Sequence, residues 1–353
     1  MKLRLLNSLL LLVSTSLYSP VDAQTKYIAA VDEYVPAPGQ FVNTMPETTA
    51  DDTPETVAQK CTECLANGAG VLVTLGAWGG YLTFHFDHPV ANVPGQMDFY
   101  IAGNANINGS EAGIVMVSQD VNGNHLPDDP WYELAGSADQ DSIDKVAYGY
   151  VLTYTRQGDL TDVPWTDTLG GSGKVPRNGF HNQEYFPLWL GDELTFSGTR
   201  LPTNARNTSA SGQNWLLSAL RYGYVDNLPN TDSLSSSFNL DWAVDPLTRQ
   251  PVVLTHADFF RVYTALNQVC GWIGETSTEV SGAEDLHLEA SLAYAAGIVP
   301  YVALPTQHTE HLYDLQGRRV SSIPSTQSPH SLSPKTSRSP GLYILNGKKY
   351  IYK

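Results

Sequence analysis

Ten short runs rich in apolar and β-branched residues, each closed by Gly, Asn, Asp or Pro, constrain this chain more than any other feature. They occupy 71–75, 81–86, 98–103, 113–118, 132–136, 147–154, 193–197, 218–226, 238–244 and 258–264. A strand buries alternate side chains and must then turn, so runs of this length with this punctuation predict β-structure. One amphipathic helix is expected over 55–66, stopped by Asn67-Gly68. So many strands with so little helix predict a mostly β fold, an antiparallel β-sandwich of jelly-roll type with long loops. The longest irregular spans are 157–186, rich in Gly, Asp and Asn, and the polar stretch after 197.

The ends of the chain read differently. Lys2 and Arg4 followed by an apolar run over 5–18, with Val21-Asp22-Ala23 offering small residues at −3 and −1, predict a signal peptide over 1–23. Export is the expected fate, and no Cys follows the apolar run to carry a lipid. Residues 24–53 hold Pro36, Pro38 and Pro46 and read as an extended lead-in. The sandwich domain is expected over 54–300, with 301–310 as a connector. The tail 311–353 carries a Ser/Pro-rich insert and two apolar islands, the second with Asn346-Gly347 as a hairpin signal. No segment after the N-terminus is long and apolar enough to span a bilayer.

A formal net charge of −16 argues against nucleic acid, whose affinity comes largely from Lys and Arg neutralising phosphates. It suits an exported surface that attracts cations. Three cysteines, Cys61, Cys64 and Cys270, cannot all pair with one another. Cys61 and Cys64 match C-x-x-C, but on an expected helix and with no second ligand pair, so zinc or redox chemistry is disfavoured. Small buried helix residues, or one bridge to Cys270, are the plainer readings.

The clearest motif is Asp120-Val121-Asn122-Gly123-Asn124-His125-Leu126-Pro127-Asp128-Asp129. Asp120, Asn122, Asn124, Asp128 and Asp129 offer side-chain oxygens, the first three spaced by two as in loops that wrap Ca²⁺. Trp131 stands where an EF-hand carries its closing Glu, so this is a shorter type of loop. A structural Ca²⁺ is expected here; the alternative is an Asx-rich turn with no metal. Trp165, His181, Asn182, Gln183, Tyr185, Trp189 and Trp215 lie in or beside the long loops. Aromatic faces there suit a sugar ring or a flat macrocycle, with amides supplying hydrogen bonds. Carboxylate pairs that could serve a glycosidase are Asp241 with Asp245, Glu275 with Glu279, and Glu284 with Asp285; His181 beside Glu184 is a further combination. No nucleophile-elbow, zincin or phosphate-loop motif is present.

Two stretches carry a resemblance. Y-D-L-Q-G-R-R-V at 313–320 and P-G-L-Y-I-L-N-G-K-K at 340–349 resemble the C-terminal sorting domains of the Bacteroidota type IX secretion system. The body over about 70–290, through D-V-N-G-N-H-L-P-D-D-P-W-Y-E-L-A-G-S, F-H-N-Q-E-Y-F-P-L-W, F-N-L-D-W-A-V-D and G-E-T-S-T-E-V-S-G-A-E-D-L-H-L, resembles an uncharacterised family of Bacteroidota cell-surface proteins. The resemblance implies a jelly roll related to carbohydrate-binding modules, sometimes placed near vitamin B12 uptake genes. The expected function is capture of a glycan or a corrinoid (vitamin B12) at the cell surface, without catalysis. The implied partners are that ligand and an outer-membrane transporter complex. A surface glycoside hydrolase or an adhesion component is the alternative.

Overall fold

The structure is a computed structural model that describes residues 24–141, 145–231 and 236–297, and four strands of the tail, Thr309–Tyr313, Arg319–Pro324, Gly341–Leu345 and Lys348–Tyr352. The expected signal peptide, most of the connector and the Ser/Pro-rich insert lie outside the described residues. The fold is mostly β and antiparallel, a sandwich built on one six-stranded sheet. Its strands run in the order Ala30–Val35, Tyr81–Ala91, His256–Thr264, Gly113–Ser118, Trp131–Leu134, Ala243–Val244.

Period-two patterning explains why this sheet is the middle layer. Leu82, Phe84, Phe86, Val115, Val117, Phe260 and Val262 point to one face and join the main core, while Tyr81, Ile114, Met116 and Tyr263 point to the other. The first face meets the three-stranded sheet of Ser237–Phe238, Phe99–Ala102 and Gly282–Asp285. Phe99 packs edge-on to Phe260 at 4.8 Å between ring centroids and stacks on Phe238 at 5.3 Å. The helix Pro54–Leu65 closes this core with Val57, Ala58, Cys61 and Leu65. Thr53 caps it through a reciprocal hydrogen-bond pair with Thr56, and Pro54 fits the first turn because no N–H is needed there. On the second face the four-stranded sheet of Glu193–Arg200, Ala147–Thr155, Val163–Asp167 and Ser172–Val175 builds its own core around Trp78, Tyr150, Tyr154, Tyr185 and Phe186.

Several expectations change at this level. The lead-in is not outside the sandwich, because Ala30–Val35 is an edge strand paired with Tyr81–Ala91. The irregular span contains the hairpin Val163–Asp167 and Ser172–Val175, whose short, polar strands show no alternation in sequence. The run 218–226 is not a strand: beyond Trp215–Leu217 the chain turns, touching Gly113 only through Val225. The run 238–244 is broken by a 3₁₀ turn at Leu240–Trp242, which carries the chain from the three-stranded sheet to the six-stranded one. In the tail, Gly341–Leu345 pairs with Lys348–Tyr352 on either side of Asn346-Gly347, two residues that lie outside the description. All three cysteines are free thiols. Burial raises the Cys61 and Cys270 pKa values, that of Cys270 to about 11, which leaves both as inert thiols at neutral pH.

Candidate functional site: an aromatic platform and an Asp/Asn loop

Three loops meet around Gln40, and each of its polar groups ties one of them down. Its backbone N–H donates to Glu275 Oε1 at 2.6 Å, and its Nε2 donates to the Ile273 carbonyl at 2.9 Å. Its Oε1 accepts from Asn178 Nδ2 at 3.2 Å, and its backbone carbonyl accepts from Gln183 Nε2. Asn178 Nδ2 also reaches the Trp272 carbonyl at 2.8 Å. Loops held this way can present apolar groups to water without collapsing. Phe180 is 77% exposed and Trp272 52% exposed, and their rings meet edge-on at 6.3 Å. Trp272 is further fixed by its indole N–H, which donates to the Gln213 carbonyl at 2.7 Å.

Of the aromatic and amide residues expected at a site, four gather here. His181 stands edge-on to Phe41 at 4.7 Å, and Asn182 is exposed, its carbonyl accepting from Arg177. Gln183 braces Gln40, and the Trp215 indole lies against Gly271, where a Cβ would come within 2.7 Å of Nε1. The other three pack inward. Tyr185 is fully buried, its hydroxyl accepting from Asn178 N and donating to the His181 carbonyl. Trp165 packs against the second core and crosses Gly173, whose missing side chain makes room for the ring. Trp189 packs on the main core and stacks on Tyr34 at 5.9 Å. Sequence reasoning missed Phe180, Trp272 and Gln40. The first two carried a signal, being large apolar residues inside polar loops; Gln40 carried none.

The 120–129 loop leaves the Gly113–Ser118 strand at its far end, while the chain enters that strand from the 278 and 225 side. Asp120 Oδ1 accepts from Gly123 N at 2.7 Å and Asn124 N at 3.1 Å, and Oδ2 from His125 N at 2.9 Å. Asp258 holds the loop's base by accepting from Asp120 N at 2.8 Å. Asn122 and Asn124 converge on Asp128, their Nδ2 groups 3.1 and 2.9 Å from its two oxygens, while Asp129 accepts from Val121 N at 2.9 Å. In this arrangement both amides turn N–H groups toward Asp128, while their oxygens accept from Asn124 N and Leu126 N, which is the bonding of an Asx-rich turn. The residue types are those of a hard-oxygen donor set, and a cation would need both amides turned over to bring their oxygens beside Asp128.

Three of the four carboxylate combinations are tied to separate partners, and the fourth, Glu275 with Glu279, is buried at 2% and 3% exposure. Asp241 sits in the 3₁₀ turn and accepts from Asn92, while Asp245 caps the following turn through Leu247 N and Thr248. They are therefore not on one strand, as the sequence pattern required. Glu184 accepts from the amides of Leu160, Tyr185 and Phe186, which makes it a loop brace beside His181. Glu284 pairs with Lys26 at 2.5 Å, and Asp285 lies 2.9 Å from the buried His88. No protein-family model and no curated protein matches the chain. No helix among the described residues is long and apolar enough to cross a membrane.

Proposed function

We propose that this chain is an exported, calcium-stabilised β-sandwich that captures a glycan at the bacterial surface without transforming it. The observation that carries the reading is the exposed Phe180–Trp272 pair on loops cross-linked by Gln40. A sugar ring presents C–H groups on its face and hydroxyls at its rim. Aromatic faces suit the first, and the exposed Asn182 side chain in the same loop suits the second. Holding those loops in advance lowers the ordering cost of binding. A surface cleft between Pro202–Arg206 and Ser218–Leu220 is smaller, about 200 Å³, than the ~300–1,000 Å³ of ordinary ligand pockets. The open platform is therefore the better seat.

Asp120, Asn122, Asn124, Asp128 and Asp129 would hold Ca²⁺, which would neutralise the loop's carboxylates and fix its shape. The loop leaves one end of a strand whose other end faces the platform side, so its role is structural.

The test is a glycan array probed with the exported chain, followed by calorimetry on the strongest binder with wild type and Trp272→Ala. Binding that Trp272→Ala weakens supports the platform. Cyanocobalamin co-eluting with the protein in gel filtration, with a blank array, would move the ligand to the corrinoid class. Glycan binding unaffected by Trp272→Ala and Phe180→Ala would sink the platform.

A further inference from the structure

Away from the platform, three acidic side chains meet inside the protein. Glu111, Asp226 and Glu279 each place a carboxylate oxygen within 4.8 Å of the others. Asp226 is 2% exposed and Glu279 3%. They come from three separate stretches: the approach to the Gly113–Ser118 strand, a turn in which Asp226 takes φ 54°, and the strand Glu279–Val280. The charges that act on Glu111 and Glu279 are carboxylates, those of Asp226 and Glu275 on both and that of Glu279 on Glu111. The other titratable groups facing the cluster are the Tyr34 hydroxyl, which donates to the Thr74 carbonyl, and the Cys270 thiol. Like charges this close in a desolvated site cannot all persist, so something positive must join them.

A metal cation is one answer, but the oxygens are largely committed. Asp226 Oδ1 accepts from Asn104 N at 2.7 Å and Ala105 N at 2.6 Å, and its Oδ2 accepts from Glu279 N at 3.0 Å. Glu279 Oε1 accepts from the Thr74 hydroxyl at 3.0 Å. Calcium asks for about 6–8 oxygen ligands, more than this cluster leaves free. A proton asks for two.

We propose that the Glu111, Asp226 and Glu279 cluster holds at least one proton at neutral pH, and that this proton clasps the 104–111, 226 and 277–279 segments together. Loss of the proton at alkaline pH leaves adjacent buried negative charges and loosens the seam. Glu111 ties the same seam by other bonds: its carbonyl accepts from the Thr278 hydroxyl at 2.7 Å, and its Oε1 accepts from Ser277 N at 3.4 Å. Burial and then the neighbouring Asp226 charge raise the Glu279 pKa to about 8, and burial, partly offset by its three backbone amides, raises that of Asp226 to about 7, so the cluster's proton belongs to the folded state. Because the folded chain then binds more protons than the unfolded one, stability falls as pH rises from about 4.3 up to about 8.

The experiment is infrared spectroscopy of the folded chain at neutral pH, as wild-type-minus-variant difference spectra for Glu279→Gln and Glu111→Gln, together with melting temperature against pH in chelator. The expected result is loss of one protonated-carboxyl C=O band in at least one variant and a flatter fall of melting temperature towards alkaline pH. If Glu279→Gln does not fold, Glu111→Gln gives the same reading from the more accessible partner. Difference spectra without that band overturn the inference. So does a calcium-dependent rise in melting temperature, measured in a chain already carrying Asp128→Asn, that Glu111→Gln abolishes; that would make the cluster a cation site.

Discussion

The backbone N–H of Gln40 donates to Glu275 Oε1 at 2.6 Å across 235 positions of sequence, and this bond fastens the loop that carries Trp272 to the N-terminal part of the chain. Glu275 is 2% exposed, and its other oxygen has no hydrogen-bond partner among the described residues. Burial raises its pKa to about 7, partly offset by the Gln40 N–H, which favours the ionised form. A raised carboxylate pKa means that stability is lost as pH climbs from about 4.3 towards 7. Glu275→Gln keeps an oxygen for Gln40 and removes the charge. It should flatten that part of the melting-temperature profile while leaving ligand affinity near wild type. Gln40→Ala should do the reverse, lowering affinity more than stability, as calorimetry and thermal melts on the same samples would show.

Exposure separates the aromatic residues into two classes with opposite outcomes. Phe180→Ala and Trp272→Ala remove groups that face water, and stability should change by no more than about 0.5–1 kcal/mol. Each should weaken glycan binding by about 1 kcal/mol, several-fold in Kd. Trp189→Ala should behave differently, because the ring lies on the main core against Tyr34. Its expected cost is about 3 kcal/mol of stability with no direct effect on affinity. A melting temperature unmoved by Trp189→Ala would contradict the packing described here.

The contrast between these residues shows what the sequence could convey. Strands with clean alternation, such as Gly113–Ser118, were legible because burial on one face writes itself into every second position. The helix was legible from its apolar spacing and the Asn67-Gly68 stop, whereas its Thr53 cap became visible only in the structure. The hairpin over 163–175 was hidden because its strands are short, and Ser172, Gly173 and Lys174 are exposed. The Asp/Asn loop was visible as local chemistry at regular spacing. The platform was not, because its parts come from positions 40, 178–183, 213 and 272–275, and only folding joins them. Trp165, Tyr185 and Trp189 looked like ligand residues because composition cannot tell a tryptophan that pins a loop from one that offers its face.

Calcium should leave a thermodynamic signature at the 120–129 loop. A cation bound only by the folded state stabilises by about 2.7 kcal/mol at one hundred times its Kd. Melting temperature should therefore rise on adding Ca²⁺ to chelator-treated protein, and the rise should vanish in Asp128→Asn, which removes the carboxylate on which Asn122 and Asn124 converge. Equal calcium responses in wild type and Asp128→Asn would return this loop to a plain Asx turn. Loss of the response with glycan binding retained would confirm a structural role remote from the platform.

His88 gives the most severe prediction. Its ring is fully buried, with Nδ1 2.5 Å from Asp87 Oδ1 and Nε2 2.9 Å from Asp285 Oδ2, so two carboxylates face one imidazole. Burial opposes the charged ring, but the hydrogen bonds to Asp285 and Asp87 outweigh it and hold the pKa above the ordinary histidine value. A raised histidine pKa contributes stability that is fully present below about 6.5, the unfolded value, and is lost as pH rises through the folded one. Asp285 also braces the three-stranded sheet, since its Oδ1 accepts from His287 N at 2.7 Å at the start of the helix Leu288–Ala295. His88→Ala leaves the Asp285 carboxylate buried without its cation, a change that costs about 3–5 kcal/mol in comparable pairs. Denaturant titration should find that loss at acidic pH and a smaller one at alkaline pH, where the wild-type ring has itself lost its charge. A destabilisation independent of pH would mean that His88 acts through its shape alone.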